Sequence, residues 1–323
     1  MKVLTKSHTN VKIDTYLQNF TARRTVLICN DCPRKCNALR NEYEGNGFCR
    51  SGLMPVCAKA ALHPWEEPCI SGKRGAGNIF FSGCNLKCYY CQNSEISGID
   101  AHIAKGKTIT PQRLSEIYDE LIMQGASCIN LVTPTHFTDA ILKSLEIHGK
   151  LNVPLVYNSG GYESTDTLKK LDGKVDIYLP DMKYGLSKPA LKYSNAPDYP
   201  DIAKEAITEM FRQTGPFEIN DNGQMKKGVI IRHMIIPGNL QNTFSIIDWV
   251  NETFNQGDVM FSLMSQYTPY VKTGFSELNR KLTEYEHKKA VEYMYNTNIC
   301  DGFVQELSSA KEEYIPNFNL SGI

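Results

Sequence analysis

Short apolar runs alternate with stretches of helical periodicity along most of this chain. The runs at 79–81, 128–132, 155–158, 175–179, 229–236 and 259–264 are brief and apolar, and each closes at glycine, proline or a small polar residue. That pattern predicts buried strands. The stretches between them predict helices over 111–124, 138–148, 164–171, 201–213, 243–254 and 277–296. Thr110-Pro111 marks one helix start, with proline near the first position and Gly125 beyond the end. A further short apolar stretch stands at 303–305. Apolar strands separated by helices predict βαβ units on a parallel sheet. Right-handed crossovers roll such a sheet toward a barrel. Six units fall short of a closed barrel, so the expected fold is α/β, an open, partial (β/α)6 barrel with its functional residues at the C-terminal strand ends.

Chemistry-bearing residues fall at those ends. Cys84, Cys88 and Cys91 follow the first strand in IFFSGCNLKCYYCQN, at C-x3-C-x2-C spacing. Soft thiolates suit iron–sulfur sites, and a trio can hold three irons of a four-iron cluster, leaving the fourth open to a ligand. A three-thiol zinc site or free thiols are the alternatives. Thr133, Pro134 and Thr135 follow the second strand, Ser159-Gly160-Gly161 the third, and Asp181 and Lys183 the fourth. Arg232 lies in the fifth strand, with His233 on its opposite face. Asp181 and Lys183, two apart, share a face. Asn93 can support the cysteine loop through its side chain.

Nine of the chain's eleven cysteines fall between Cys29 and Cys91. Cys29, Cys32, Cys36 and Cys49, with turn glycines around them, can close a tetrahedral zinc site or carry a second iron–sulfur cluster, and the spacing does not choose. Cys57 and Cys69 are weaker candidate ligands, and Cys128 and Cys300 read as buried small apolar residues. The proline- and glycine-rich stretch ALHPWEEPCISGKRGAG reads as a connection, in which His63, Glu66 and Glu67 face either a cavity or solvent.

With 323 residues the chain can bury a large core, and 35 basic against 35 acidic residues leave no electrostatic case for nucleic acid or a membrane surface. No run reaches membrane-span length and the first residues lack a signal-peptide core, so a cytoplasmic location is expected. The expected division is a Cys-rich segment with a leader over 1–28 (residues 1–72), the barrel (73–310) and a tail (311–323).

Across about residues 29–306, the motifs HPWEEPCISG, GNIFFSGCNLKCYYCQN, VTPTH, LPDMKYG, RHMIIPG and LMSQYTP resemble radical S-adenosylmethionine (SAM) enzymes. They are similar to the relatives of pyruvate formate-lyase activating enzyme, in a group with extra N-terminal cysteines. The resemblance implies a 4Fe-4S cluster on Cys84, Cys88 and Cys91 whose open iron chelates SAM. It further implies reductive cleavage of SAM to a 5'-deoxyadenosyl radical that abstracts a hydrogen atom. Asp181 and Lys183 match an Asp-x-Lys pair that touches SAM, and Arg232 would pair with its carboxylate. Thr133-Pro134-Thr135 stands where many relatives carry Gly-Gly-Glu, so carbonyls and threonine hydroxyls would hold the SAM amino group instead. The implied partners are a protein or peptide substrate, such as a glycyl-radical enzyme, and an electron donor such as flavodoxin or ferredoxin. An iron–sulfur or metal-binding protein without SAM chemistry is the reading from another class.

Overall fold

The computed structural model describes residues 26–98, 105–310 and 316–323, so nearly all of the expected leader lies outside the described residues. Strands β1 (Leu27–Cys29) and β2 (Ala38–Arg40) form a small antiparallel pair. The other strands join one sheet: β3 (Val56–His63), β4 (Ala76–Phe81), β5 (Lys107–Thr108), β6 (Ile129–Val132), β7 (Leu155–Ser159), β8 (Ile177–Pro180), β9 (Glu218–Ile219), β10 (Met225–Met234), β11 (Met260–Met264) and β12 (Gly302–Val304). The spatial order is β12-β11-β10-β8-β7-β6-β4-β3-β5, with β9 paired on β10. From β4 to β12 every pairing along that path is parallel. The edges β5 and β12 do not pair with each other among the described residues, so the sheet is an open, partial barrel.

The helices expected from periodicity stand where proline, caps and glycines place them. Thr110 accepts the Arg113 N–H and caps Pro111–Met123. Thr283 and Glu286 form a capping box for Glu284–Tyr295, which trims the helix expected from residue 277. Helix Ser187–Ser194 was not expected, because Pro189 hid it; the proline falls in the first turn, where its missing N–H costs nothing. The stretch read as a connection takes in the end of strand β3, at residues 61–63, and a short helix, Pro68–Ser71. Alanines at 58, 60 and 61 disguised β3, since alanine is depleted in strands. The sheet therefore begins upstream of residue 73, with β3 antiparallel on β4. The short run near 303 completes the parallel set as β12.

Alternation along the strands sorts two cores. Tyr157, Tyr178, Val229 and Ile231 face the layer shared with the helices. Their neighbours Val156, Ile177, Leu179 and Ile230 face the barrel interior, with Cys69, Ile70 and Cys128. Cys57 and Cys69 are thus core residues and not ligands, as Cys128 is, whereas Cys300 is exposed, contrary to its apolar reading. The terminal residues pack back on the sheet. Phe318 is buried edge-on to Phe80, and Ser321 accepts the Ala60 N–H.

Candidate active site

The apolar interior gives way to a polar layer one strand-repeat higher. On inward positions, Ala76 is followed by Asn78, Cys128 by Asn130, Val156 by Asn158, Ile230 by Arg232 and Met260 by Ser262. Asn78 and Asn130 are register partners, and both donate to Glu66 Oε1, at 2.8 and 3.0 Å. Arg232 lies at the hub. Its guanidinium donates to Asp181 Oδ1 at 3.0 Å, Glu66 Oε2 at 3.2 Å and Asn158 Oδ1 at 2.6 Å. Lys183 pairs with the other oxygen of Asp181. Despite burial, Arg232 and Lys183 together hold the Asp181 carboxyl below its usual range. His233 turns to the other face, where its ring meets the Met182 carbonyl at 2.8 Å and the Thr243 hydroxyl at 2.9 Å. Burial pushes its pKa down to about 4.

Above this layer the cysteine loop leaves β4. Gly83 has φ +89°, and a Cβ there would stand 2.6 Å from Ser51 Oγ and 3.0 Å from the Cys49 carbonyl. Only glycine tolerates both the left-handed backbone and that contact. Lys87, also left-handed at φ +54°, turns the loop between Cys84 and Cys88. The Leu86 N–H donates to Cys84 Sγ at 3.3 Å and the Ser194 hydroxyl to Cys88 Sγ at 2.9 Å. Asn85 donates to the Tyr162 carbonyl at 2.7 Å. The loop support expected of the Asn93 side chain is thus supplied by Asn85, while Asn93 makes no side-chain cap to the helix it precedes. Tyr90 is buried among Tyr184, Tyr193 and Tyr267.

Cys84, Cys88, Cys91, Thr133, Asp181, Lys183 and Arg232 line one cavity of about 300 Å³. Glu66, Glu67, Asn158 and Ser262 share it, and half-exposed Trp65 stands on its rim. Thr133 has φ +60°, a strained conformation for a β-branched residue, and its N–H is tied to the Asn158 carbonyl at 2.8 Å. Thr135 is turned away from the cavity and donates to Glu163 Oε1 at 2.7 Å; Pro134 is likewise outside the lining. The hydroxyl expected to accept from a ligand amine at Thr135 is therefore held by Glu163 outside the cavity lining. Glu163, which the sequence reading did not single out, is buried, and burial raises its pKa to about 7.

Burial pushes Cys91 up to about 12, with Cys88 and Cys84 adding to the effect and Lys183 opposing it. Cys84 is raised in the same way, by burial first and Cys88 next. Cys84 and Cys91, which resist ionising, stand with buried Cys88 around one cavity, a set that suits a cationic inorganic centre, and amide and hydroxyl donors to two of the sulfurs suit an iron–sulfur cluster. Among the described residues, no group of three or more Cys, His, Asp or Glu side chains stands close enough to hold a single metal ion. That applies to both cysteine sets; a cluster differs from one ion in spreading its thiolates over separate irons.

In the N-terminal set, Cys29, Cys32 and Cys49 are half-buried and Cys36 is exposed. Burial raises Cys32 to about 12, and Cys49 adds to the shift. Buried Arg40 reaches Cys29 Sγ and Asp31, each at 3.3 Å, and also bonds the carbonyls of Ser51, Gly52 and His136. The set is thus bound to the loop after β6.

No protein-family model matches the chain. Uncharacterized protein MJ0674 of Methanocaldococcus jannaschii is 30% identical over 289 residues, covering 86% of this chain and 77% of that protein. Among solved structures, Streptococcus suis SuiB bound to S-adenosylmethionine aligns at 14% identity and TM-score 0.46, over 71% of this chain and 50% of SuiB. A mutant of spore photoproduct lyase aligns at 12% identity and TM-score 0.42, over 73% of this chain and 78% of the lyase. The chain spans about half the length of SuiB, and both likenesses are remote.

Proposed function

The chain belongs to the family of Uncharacterized protein MJ0674 of Methanocaldococcus jannaschii, and we propose that it is a radical SAM enzyme acting on a peptide or protein. The observation that carries this reading is the convergence on one cavity of three loop cysteines with Asp181, Lys183 and Arg232, from separate strand ends. Cys84, Cys88 and Cys91 would hold a 4Fe-4S cluster with one iron left for SAM. When bound, that pair supplies one-electron cleavage of the sulfonium to a 5'-deoxyadenosyl radical.

The chain's own residues bind and orient. Leu86 N–H and the Ser194 hydroxyl support the sulfurs. Lys183 and Arg232 present cations suited to a carboxylate, and Asp181 fixes both. Thr133 presents its side chain at a strained strand end. A glycine of a glycyl-radical enzyme is the substrate that the sequence motifs favour. A cavity of about 300 Å³ would admit such a substrate as a single residue or turn past the rim, not as a folded surface. An electron donor such as flavodoxin or ferredoxin would approach at Tyr89, which is half exposed and edge-on to Phe275, between the second and third cysteines. Cys29, Cys32, Cys36 and Cys49 are proposed as a second metal site; of the two readings, iron–sulfur cluster or zinc, the cluster is favoured, because no three of them stand close enough for a single ion.

The test is the electron paramagnetic resonance spectrum of the reduced, iron-reconstituted protein with and without SAM. SAM should change the cluster signal. An unchanged signal with SAM in excess would favour an iron–sulfur protein without SAM chemistry.

A further inference from the structure

Glu67 carries a carboxylate oxygen that the protein leaves without a partner. Its side chain is 8% exposed, it lines the cavity, and Oε2 has no hydrogen bond among the described residues. A buried carboxylate oxygen left unpaired costs on the order of 1–3 kcal/mol, more when charged. Such an atom is retained at little net cost only where something else completes it.

The neighbouring charges do not complete it. Lys183 is spent on Asp181, and Arg232 is shared between Asp181 and Glu66. With Glu67 ionised, the floor sets three carboxylates, Asp181, Glu66 and Glu67, against two cations; burial pushes the Glu67 carboxyl up and Arg232 opposes that only in part, so a further cation at Oε2 would favour its ionised form. His63 lines the same cavity but burial lowers its pKa to about 4, so at neutral pH it brings no third positive charge. Asp181 is the main charge partner of both Lys183 and Arg232, and Glu67 and Glu66 act on Arg232 after it. The Ser262 hydroxyl acts on the Glu67 carboxyl, and Met234, Met264 and Phe303 line the same cavity, so a polar head and an apolar stem would each find a surface there.

We infer that Glu67 is a specificity-determining residue that receives a cationic group of the substrate, an ammonium or guanidinium carried on an aliphatic stem. The cation would donate to Oε2 and lay its stem along Met234, Met264 and Phe303. This inference rests on the reading of the cavity as a SAM-dependent active site. SAM is itself cationic, so the experiment must separate the two sources of positive charge.

The probe is n-butylammonium, with n-butanol as its neutral counterpart. Binding to the reconstituted, SAM-saturated protein is measured by calorimetry. Butylammonium should bind at least tenfold more tightly than butanol, and Glu67→Gln should remove that preference while leaving the far-ultraviolet circular dichroism unchanged. Equal binding of the two probes to the wild-type protein would overturn the inference without need of any variant. So would a preference that survives in Glu67→Gln. Butylammonium that binds without SAM but is displaced by it would assign the cation to SAM and overturn the substrate assignment. Failure of the reading beneath is separately visible: in that case SAM itself leaves the cluster spectrum unchanged.

Discussion

Arg34 Nε donates to the Asn85 carbonyl at 2.8 Å, so a residue between two N-terminal cysteines holds the backbone next to Cys84. The same guanidinium bonds the carbonyls of Ser194 and Asn195 and lies over the Phe48 ring at 4.1 Å. Ser194 in turn donates to Cys88 Sγ. The Cys-rich segment is therefore a clamp on the cysteine loop. Arg34→Ala should destabilise this clamp by roughly 2 kcal/mol, because bonds from a charged donor count for more than neutral ones but part of this group is exposed. Hydrogen exchange of residues 84–91 should accelerate and iron retention should fall. Unchanged exchange would detach the two segments.

Ser194→Ala removes a hydroxyl donor to Cys88 Sγ, and leaves Tyr184 without the 2.6 Å partner it has now. Hydrogen bonds to cluster sulfurs favour the reduced, more negative state. The reduction potential of the reconstituted protein should therefore drop, on the order of tens of millivolts. Redox titration followed by electron paramagnetic resonance checks the direction.

Much of this site could be read from the chain, for a physical reason: glycine, proline and cysteine at strand ends announce themselves locally. The cavity floor could not. Asn78 and Asn130 are ordinary until register sets them opposite each other, and Glu66 joins them only because the turn before Pro68 enters the barrel. The signal available was an asparagine inside each of two otherwise apolar strands, a polar group that must find a partner when buried. The clamp was invisible for a similar reason. Arg34 and Asn85 are 51 residues apart, and nothing in either stretch encodes the other. Thr135 misled because the turn after β6 sends alternate side chains to different surroundings, and Glu163 claims its hydroxyl.

Arg232 offers a test of the buried network. Arg232→Met leaves Asp181 and Glu66 facing each other without their shared cation. Removing one partner of a buried ion pair costs roughly 3–5 kcal/mol. Urea unfolding should show a loss of that order. Adding Asp181→Asn to Arg232→Met should cost less than the sum of the single changes, because the two groups interact directly. Strict additivity would contradict the pairing.

His233 gives a pH signature. Its folded pKa of about 4 lies below the ordinary 6.5, so the folded state holds the neutral ring while the unfolded chain takes up a proton. Stability from this residue is present above pH 6.5 and is lost as pH falls toward 4. Between pH 7 and pH 5 the loss from this residue is about 2 kcal/mol. His233→Gln should lose correspondingly less stability over that interval than the wild-type protein, by urea denaturation at both values. Parallel losses in the two proteins would remove His233 from the account.

The central claim is that the cavity under Cys84, Cys88 and Cys91 cleaves SAM. The most direct measurement is the yield of 5'-deoxyadenosine after anaerobic incubation of the iron-reconstituted protein with SAM and a strong reductant, with Cys84→Ala treated identically. The wild-type protein should form 5'-deoxyadenosine above the reductant-free background even without substrate, and Cys84→Ala should fall to that background. A fully iron-loaded wild-type protein that forms none, or a Cys84→Ala variant that forms as much as the wild type, would contradict the account.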